Sequence, residues 1–97
     1  MACSLLGIQV WFRAPSTGVA TAAELQIAAA LQPINQPSQN LSRWIAEDIV
    51  EGGPIHATEG VVAVPQGPGL GVTLDPDAVA RCAERARTAP LNDPYFH

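Results

Sequence analysis

The first forty residues carry only two charged side chains, Arg13 and Glu24, and the other twelve all lie beyond them. An independent small domain must solvate one face of each helix or strand, and this stretch has little to do it with. Its elements therefore read as segments meant to be covered on more than one side. At 97 residues the chain holds one domain at most. Its charged share of 14% lies well below the roughly 25% of an average domain. All five basic residues are arginines and lysine is absent, which excludes Schiff-base chemistry, a P-loop lysine and a lysine general base. A net charge of −4 with scattered arginines argues against a nucleic-acid partner, which needs a basic face.

The two cysteines, Cys3 and Cys82, stand near opposite ends of the chain. Their number and spacing fit free thiols in a reducing cytoplasm better than a disulfide framework or a metal site. Residues 5–12 are apolar and Ala20-Thr21-Ala22 imitates a cleavage site, but no positive charge precedes the run and Arg13 and Pro15 interrupt it. No run reaches the 18 or so apolar residues of a membrane span. The expectation is a cytoplasmic chain without a membrane partner.

Ile8-Gln9-Val10-Trp11-Phe12 is nearly continuous in apolar character, the pattern of a parallel strand buried on both faces. Gly7 fits the end of a short helix over residues 1–6. Pro15 and Ser16 open a helix running to about residue 31, with Ser16 as its cap and Thr21 with Glu24 as a second possible start. Val19, Ala22, Ala23, Ile27, Ala30 and Leu31 recur at helical spacing, and Pro33 stops the run. A weak strand is expected around Ile34 and a helical turn or two over residues 40–49. Residues 52–71 are dense in glycine and proline, with short strands expected at 61–64 and 72–74 around the loop Gly67-Pro68-Gly69-Leu70-Gly71. Asp75 followed by Pro76 marks a cap and first helical residue, and a last helix should cover about 76–88.

Several residues invite chemistry. The glycines at 67, 69 and 71 enclose a proline and precede a strand, so a turn is favoured over a nucleotide loop. His56 lies near Glu59 without a visible third partner for a triad or metal site, and reads as an exposed loop histidine. Glu47, Asp48 and Glu51 lack the alternating spacing of a calcium loop and read as a solvated face or helix-end charges. Arg13 is the candidate catalytic or ligand-contacting residue. It ends an apolar strand, where α/β architectures gather ligand contacts. Its bland alternative is a surface arginine or a pair with Glu24.

Three stretches taken together carry a family resemblance: Thr17 to Leu31, the run Asp48-Ile49-Val50-Glu51-Gly52-Gly53-Pro54, and the run Val62 to Asp75 with its Pro65-Gln66-Gly67-Pro68-Gly69-Leu70-Gly71-Val72 core. They resemble the C-terminal part of the mandelate racemase / muconate lactonizing branch of the enolase superfamily, leaning toward the acid-sugar dehydratases. The resemblance covers most of residues 2–88. It implies an α/β fold, the C-terminal fragment of a (β/α)7β barrel: one β/α unit plus the last strand, then a short β-hairpin segment and a C-terminal helix. Residues 1–50 would be the end of the barrel and 51–97 the Gly/Pro-rich crossover, short strands and final helix.

The resemblance also implies a magnesium-dependent lyase or isomerase acting on a carboxylate sugar or hydroxy acid, with the metal ligands and lysine bases on strands this chain does not contain. Family members often place a catalytic histidine at the end of the seventh strand; here that neighbourhood reads Trp11-Phe12-Arg13-Ala14-Pro15. An arginine stays protonated and cannot serve as that base. The expectation is a segment catalytically incomplete alone, with no cofactor or metal site of its own, that forms a homo-oligomer or joins the rest of a barrel. The alternative is a stand-alone oligomeric interaction or small-ligand-binding module built from the same segment.

Overall fold

The computed structural model describes residues 2–14, 17–31 and 37–89. Helix α1 is a single turn, Ala2–Leu5. Gly7 ends it at φ 69°, a left-handed conformation that glycine adopts without steric cost. The amide of Ile8 reaches back to the Cys3 carbonyl at 2.8 Å and that of Gly7 to Ser4 at 3.3 Å, the paired closing bonds of a glycine-terminated helix.

Strand β1, Arg13–Ala14, and strand β2, Gln39–Asn40, pair in parallel with Arg13 opposite Gln39 and Ala14 opposite Asn40. The Gln39 amide donates to the Phe12 carbonyl at 2.8 Å, and the Phe12 amide donates to Ser38 Oγ at 3.0 Å. Of the strand expected over 8–13, the described residues show the last step, Arg13–Ala14, and a bridge position at Val10. The Ile8 amide is committed to the turn after α1. Ile34, the centre of the weak strand expected there, lies outside the described residues, and the strand that is described begins at Gln39.

Helix α2, Gly18–Ala30, follows an extended Thr17 whose side chain makes no capping bond. Ser16, the expected cap, lies outside the described residues, and Thr21 and Glu24 sit inside the helix rather than at its start. The cap comes from far along the chain. Both carboxylate oxygens of Asp48 accept from the Gly18 amide, at 2.8 and 2.9 Å, and Asp48 Oδ1 also accepts from the Ile49 amide at 2.7 Å. A carboxylate there meets the positive end of the helix as well as its free amide.

Helix α3, Pro76–Thr88, begins as its sequence signal indicates. Asp75 accepts from the Asp77 and Ala78 amides at 3.0 and 3.1 Å, with Pro76 in the first turn. The short strands expected at 61–64 and 72–74 do not pair as a hairpin. Val61 bridges Thr58, and Leu74 bridges Val50 in antiparallel fashion. The Glu51 amide donates to the Thr73 carbonyl at 2.9 Å and the Asp75 amide to that of Ile49 at 2.8 Å, so residues 73–75 have their partners in 49–51. The helical turns expected over 40–49 reduce to a 3₁₀ turn, Ser42–Trp44. Asn40 Oδ1 accepts from the Ser42 amide at 2.7 Å, a local bond that competes with a regular helix.

The intervening loop is fixed by α2. Gln26 Nε2 donates to the Pro65 carbonyl at 2.8 Å and to that of Leu70 at 3.3 Å. Gly71 closes the loop at φ 80°, where a Cβ would lie 2.6 Å from Pro65 Cβ. Among the described residues the buried apolar side chains are Ala22, Val50 and Ala78, beside buried Thr21, Ser42 and Asp48. No helix among them is long and apolar enough to cross a membrane.

Gly18 shows how tightly the centre is drawn. A Cβ on it would stand 2.5 Å from Val50 Cγ2 and 3.3 Å from Asp48 Oδ1. Gly18→Ala should therefore lower unfolding free energy by about 1–3 kcal/mol through overpacking. Asp48→Ala should cost about 0.5–2 kcal/mol as a lost cap. Urea titrations followed by circular dichroism measure both; an unchanged midpoint for both variants would remove this contact from the account of the fold.

Candidate functional site

Three sets of polar side chains are the candidates for a site. Arg13 is on β1 itself and is exposed. The described residues form ion pairs from Glu47 to Arg81 and Arg85, and from Glu84 to Arg87; the alternative pairing of Arg13 with Glu24 is not one of them. Asp48, with 4% of its surface exposed, is held against Gly18. The acidic cluster read as solvated is thus divided: Asp48 is buried as a cap, and Glu47 is bonded to α3.

The third set was not legible in the sequence. Ser42 Oγ lies 2.7 Å from His56 Nδ1. Ser42 follows β2 directly and is only 4% exposed, while His56 is exposed. A hydroxyl bonded to an imidazole is the first half of a nucleophile–base pair. The second half, a carboxylate orienting the ring, is not among the bonds of the described residues, and a serine this buried is not presented to a substrate. The pair instead ties the 3₁₀ turn to the segment after Pro54, helped by Arg43 NH2 donating to the Ala57 carbonyl at 3.4 Å. The only sequence signal was His56 itself, since its partner is fourteen residues away.

Beside the strands, between α2 and residues 57–64, lies a cleft of about 680 Å³ whose walls include Phe12, Leu25, Ala28, Val62 and Val64. That volume is within the range of small-molecule sites. Glu24 also lines it. Glu24 Oε2 is closed off from solvent and has no hydrogen-bond partner, and burial pushes its carboxyl above the ordinary 4.5. An ionised oxygen without a donor is costly in such surroundings.

Residues 1–78 match the enolase C-terminal domain-like family. The chain belongs to that family. Among solved structures, it is similar to an enolase from Thermobispora bispora complexed with magnesium and formate, at 33% identity and a TM-score of 0.83, over 93% of this chain and 22% of that one. An enolase from Mycobacterium smegmatis complexed with tartrate gives 30% identity and a TM-score of 0.83, over 95% and 22%. An isomerase from Streptomyces coelicolor gives 29% and 0.77, over 94% and 24%. The chain thus spans about a fifth of the length of these relatives. Among curated proteins no relative matches.

The α/β architecture is that of the enolase C-terminal domain, here with one short parallel pair. Magnesium accompanies the Thermobispora relative, so the donor set of this family member bears testing. No group of three His, Cys, Asp or Glu side chains among the described residues could hold a metal ion. Asp48 and Asp75 cap helices, Glu47 and Glu84 pair with arginines, and one oxygen of half-buried Glu24 is closed off from solvent. These residues do not fit a magnesium site.

Glu47 gives this family member a pH signature. Its carboxylate accepts from Arg81 Nε at 2.6 Å and from Arg85 NH1 at 2.5 Å. The bonds from Arg81 and then Arg85 hold its carboxyl below the ordinary 4.5, against a small opposing effect of burial. A depressed carboxyl contributes stability above its unfolded pKa, and that contribution is lost as pH falls through the folded value. Thermal unfolding from about pH 6 to about pH 3 should show a decline below about 4.5 that flattens in Glu47→Gln. The same slope in that variant would place the acid sensitivity elsewhere.

Proposed function

We propose that this chain is the C-terminal part of a magnesium-dependent enolase-superfamily enzyme, of the lyase or isomerase class acting on an acid sugar or hydroxy acid, and is catalytically incomplete without the rest of its barrel. The observation that carries this reading is the parallel register of Arg13 with Gln39 and Ala14 with Asn40, joined by α2. A parallel pair is stable in proteins as part of a larger sheet with both faces covered, and among the described residues β1 and β2 form a two-stranded sheet. The reading is supported by the metal and carboxylate ligands of relatives and by the isomerase among them. Residues 8–14, α2 and β2 then form one β/α unit and the last strand of a barrel, and the later residues cross back over it.

In that setting Arg13 contacts the substrate carboxylate, which its guanidinium suits, and leaves proton abstraction to residues on the other strands. The free thiols of Cys3 and Cys82 fit a reducing cytoplasm. A second reading, a stand-alone module that binds a small ligand, draws on the cleft beside Glu24. There the chain would be a monomer with a saturable site.

Complementation separates the two. The chain is mixed with a Thermobispora-type barrel lacking the matching 22%, and dehydration or isomerisation of an acid-sugar panel is followed with magnesium. Turnover in the mixture and none from either part alone is expected, and Arg13→Met should reduce it at least about tenfold, the loss of a charge-assisted contact. Turnover by the chain alone would sink the enzyme-segment reading.

A further inference from the structure

We propose that the cleft between α2 and residues 57–64 binds a small organic cation, a primary ammonium on an apolar body, with Glu24 as its counter-charge. The inference rests on the second reading above, in which the cleft takes a small ligand, and gives that ligand its chemistry. Three parts of this chain wall the cleft: α2, residues 37–40 together with Phe12, and the segment 57–64. Small-molecule sites are mostly apolar with a few placed polar groups. Phe12 and Val62 are among the apolar walls, and Thr21, Ser38 and Asn40 among the neutral polar ones. Ser38 Oγ already accepts from the Phe12 amide, and Asn40 Oδ1 from the Ser42 amide. Glu24 is the one charged residue of the lining.

Charge fixes the class of ligand. Glu24 Oε2 is closed off from solvent and has no hydrogen-bond partner, and a desolvated carboxylate is costly until a donor or an opposite charge meets it. The ion pairs of the described residues use Glu47 and Glu84, so none of their arginines answers Glu24. Arg13 and Glu59 adjoin wall residues along the chain, but both are exposed and neither lines the cleft. A carboxylate shares its charge between two oxygens, so a cation reaching either one offsets it. An ammonium brings three donors as well as the charge. A neutral alcohol brings only a donor, and an anion adds repulsion. The apolar walls strengthen the pair by lowering the local dielectric.

The test is an NMR titration of the intact, isotope-labelled chain with benzylamine, benzyl alcohol and benzoate at one ionic strength. Benzylamine should saturate and shift the amides of residues 21–29, 37–40 and 57–64, which bear the lining. Glu24→Gln should weaken it at least about tenfold, the loss of a charge-assisted bond. Glu51→Gln removes an exposed acid outside the lining and should leave the affinity unchanged. Burial holds the Glu24 carboxyl above the ordinary 4.5, so protons compete with the cation in acid. Affinity of the wild type should therefore rise from about pH 4 to about pH 7, a range in which a primary amine keeps its charge as lysine does. A flat profile overturns the proposal, and this arm decides the matter should Glu24→Gln fail to fold. Equal binding of benzyl alcohol and benzylamine keeps the cleft as a ligand site and overturns the role of Glu24. Binding of none of the three overturns both. Shifts scattered over the acidic surface and undiminished in Glu24→Gln overturn the proposal as well.

Discussion

The contact between the Asp48 carboxylate and the first amide of α2 organises the described structure. It joins residues thirty positions apart and places a negative charge at the positive end of the main helix. Its neighbours extend the junction in two directions. Glu47 holds Arg81 and Arg85 of α3, while Val50 is buried and bridges Leu74. Residues 47–50 are thus where α2, α3 and residues 73–75 meet. With so few buried apolar side chains, this polar crossing supplies a cohesion that a hydrophobic core provides in larger domains.

The parts legible in the sequence were those whose partners are local. Asp75 and Pro76 announce α3 because the cap and the helix it serves are adjacent, and Gly7 announces the end of α1 for the same reason. The start of α2 misled because its cap is Asp48 rather than any nearby serine or threonine. Residues 72–74 were readable as extended, but not their pairing with 49–51, since no turn joins the two. The acidic run 47–51 looked uniform as a sequence, yet folding buries one member and binds another to arginines. The partner of His56 had no local signal either. Family resemblance reached further than residue patterns did, because it encodes distant contacts that spacing cannot.

The imbalance of charge in the first forty residues has its counterpart in the structure. The side chains left uncovered there, from Leu5 to Trp11 and again at Ile27 and Leu31, belong to elements whose apolar surface extends around more than one side. Helix α2 illustrates this well: Glu24 is its one charged residue, and that residue lines the cleft rather than an outer face. A helix apolar on all sides belongs in an interior. The relatives are several times longer than this chain.

The single amide of Gln26 serves two carbonyls, those of Pro65 and Leu70. Between them the chain turns through Gly67 and Gly69, the latter at φ 63°. Because one donor group spans both ends, the distance along the chain is what is constrained. An insertion or deletion between them would carry one carbonyl out of reach of that donor. The loop works as a ruler, fixed in its length by one side chain on α2.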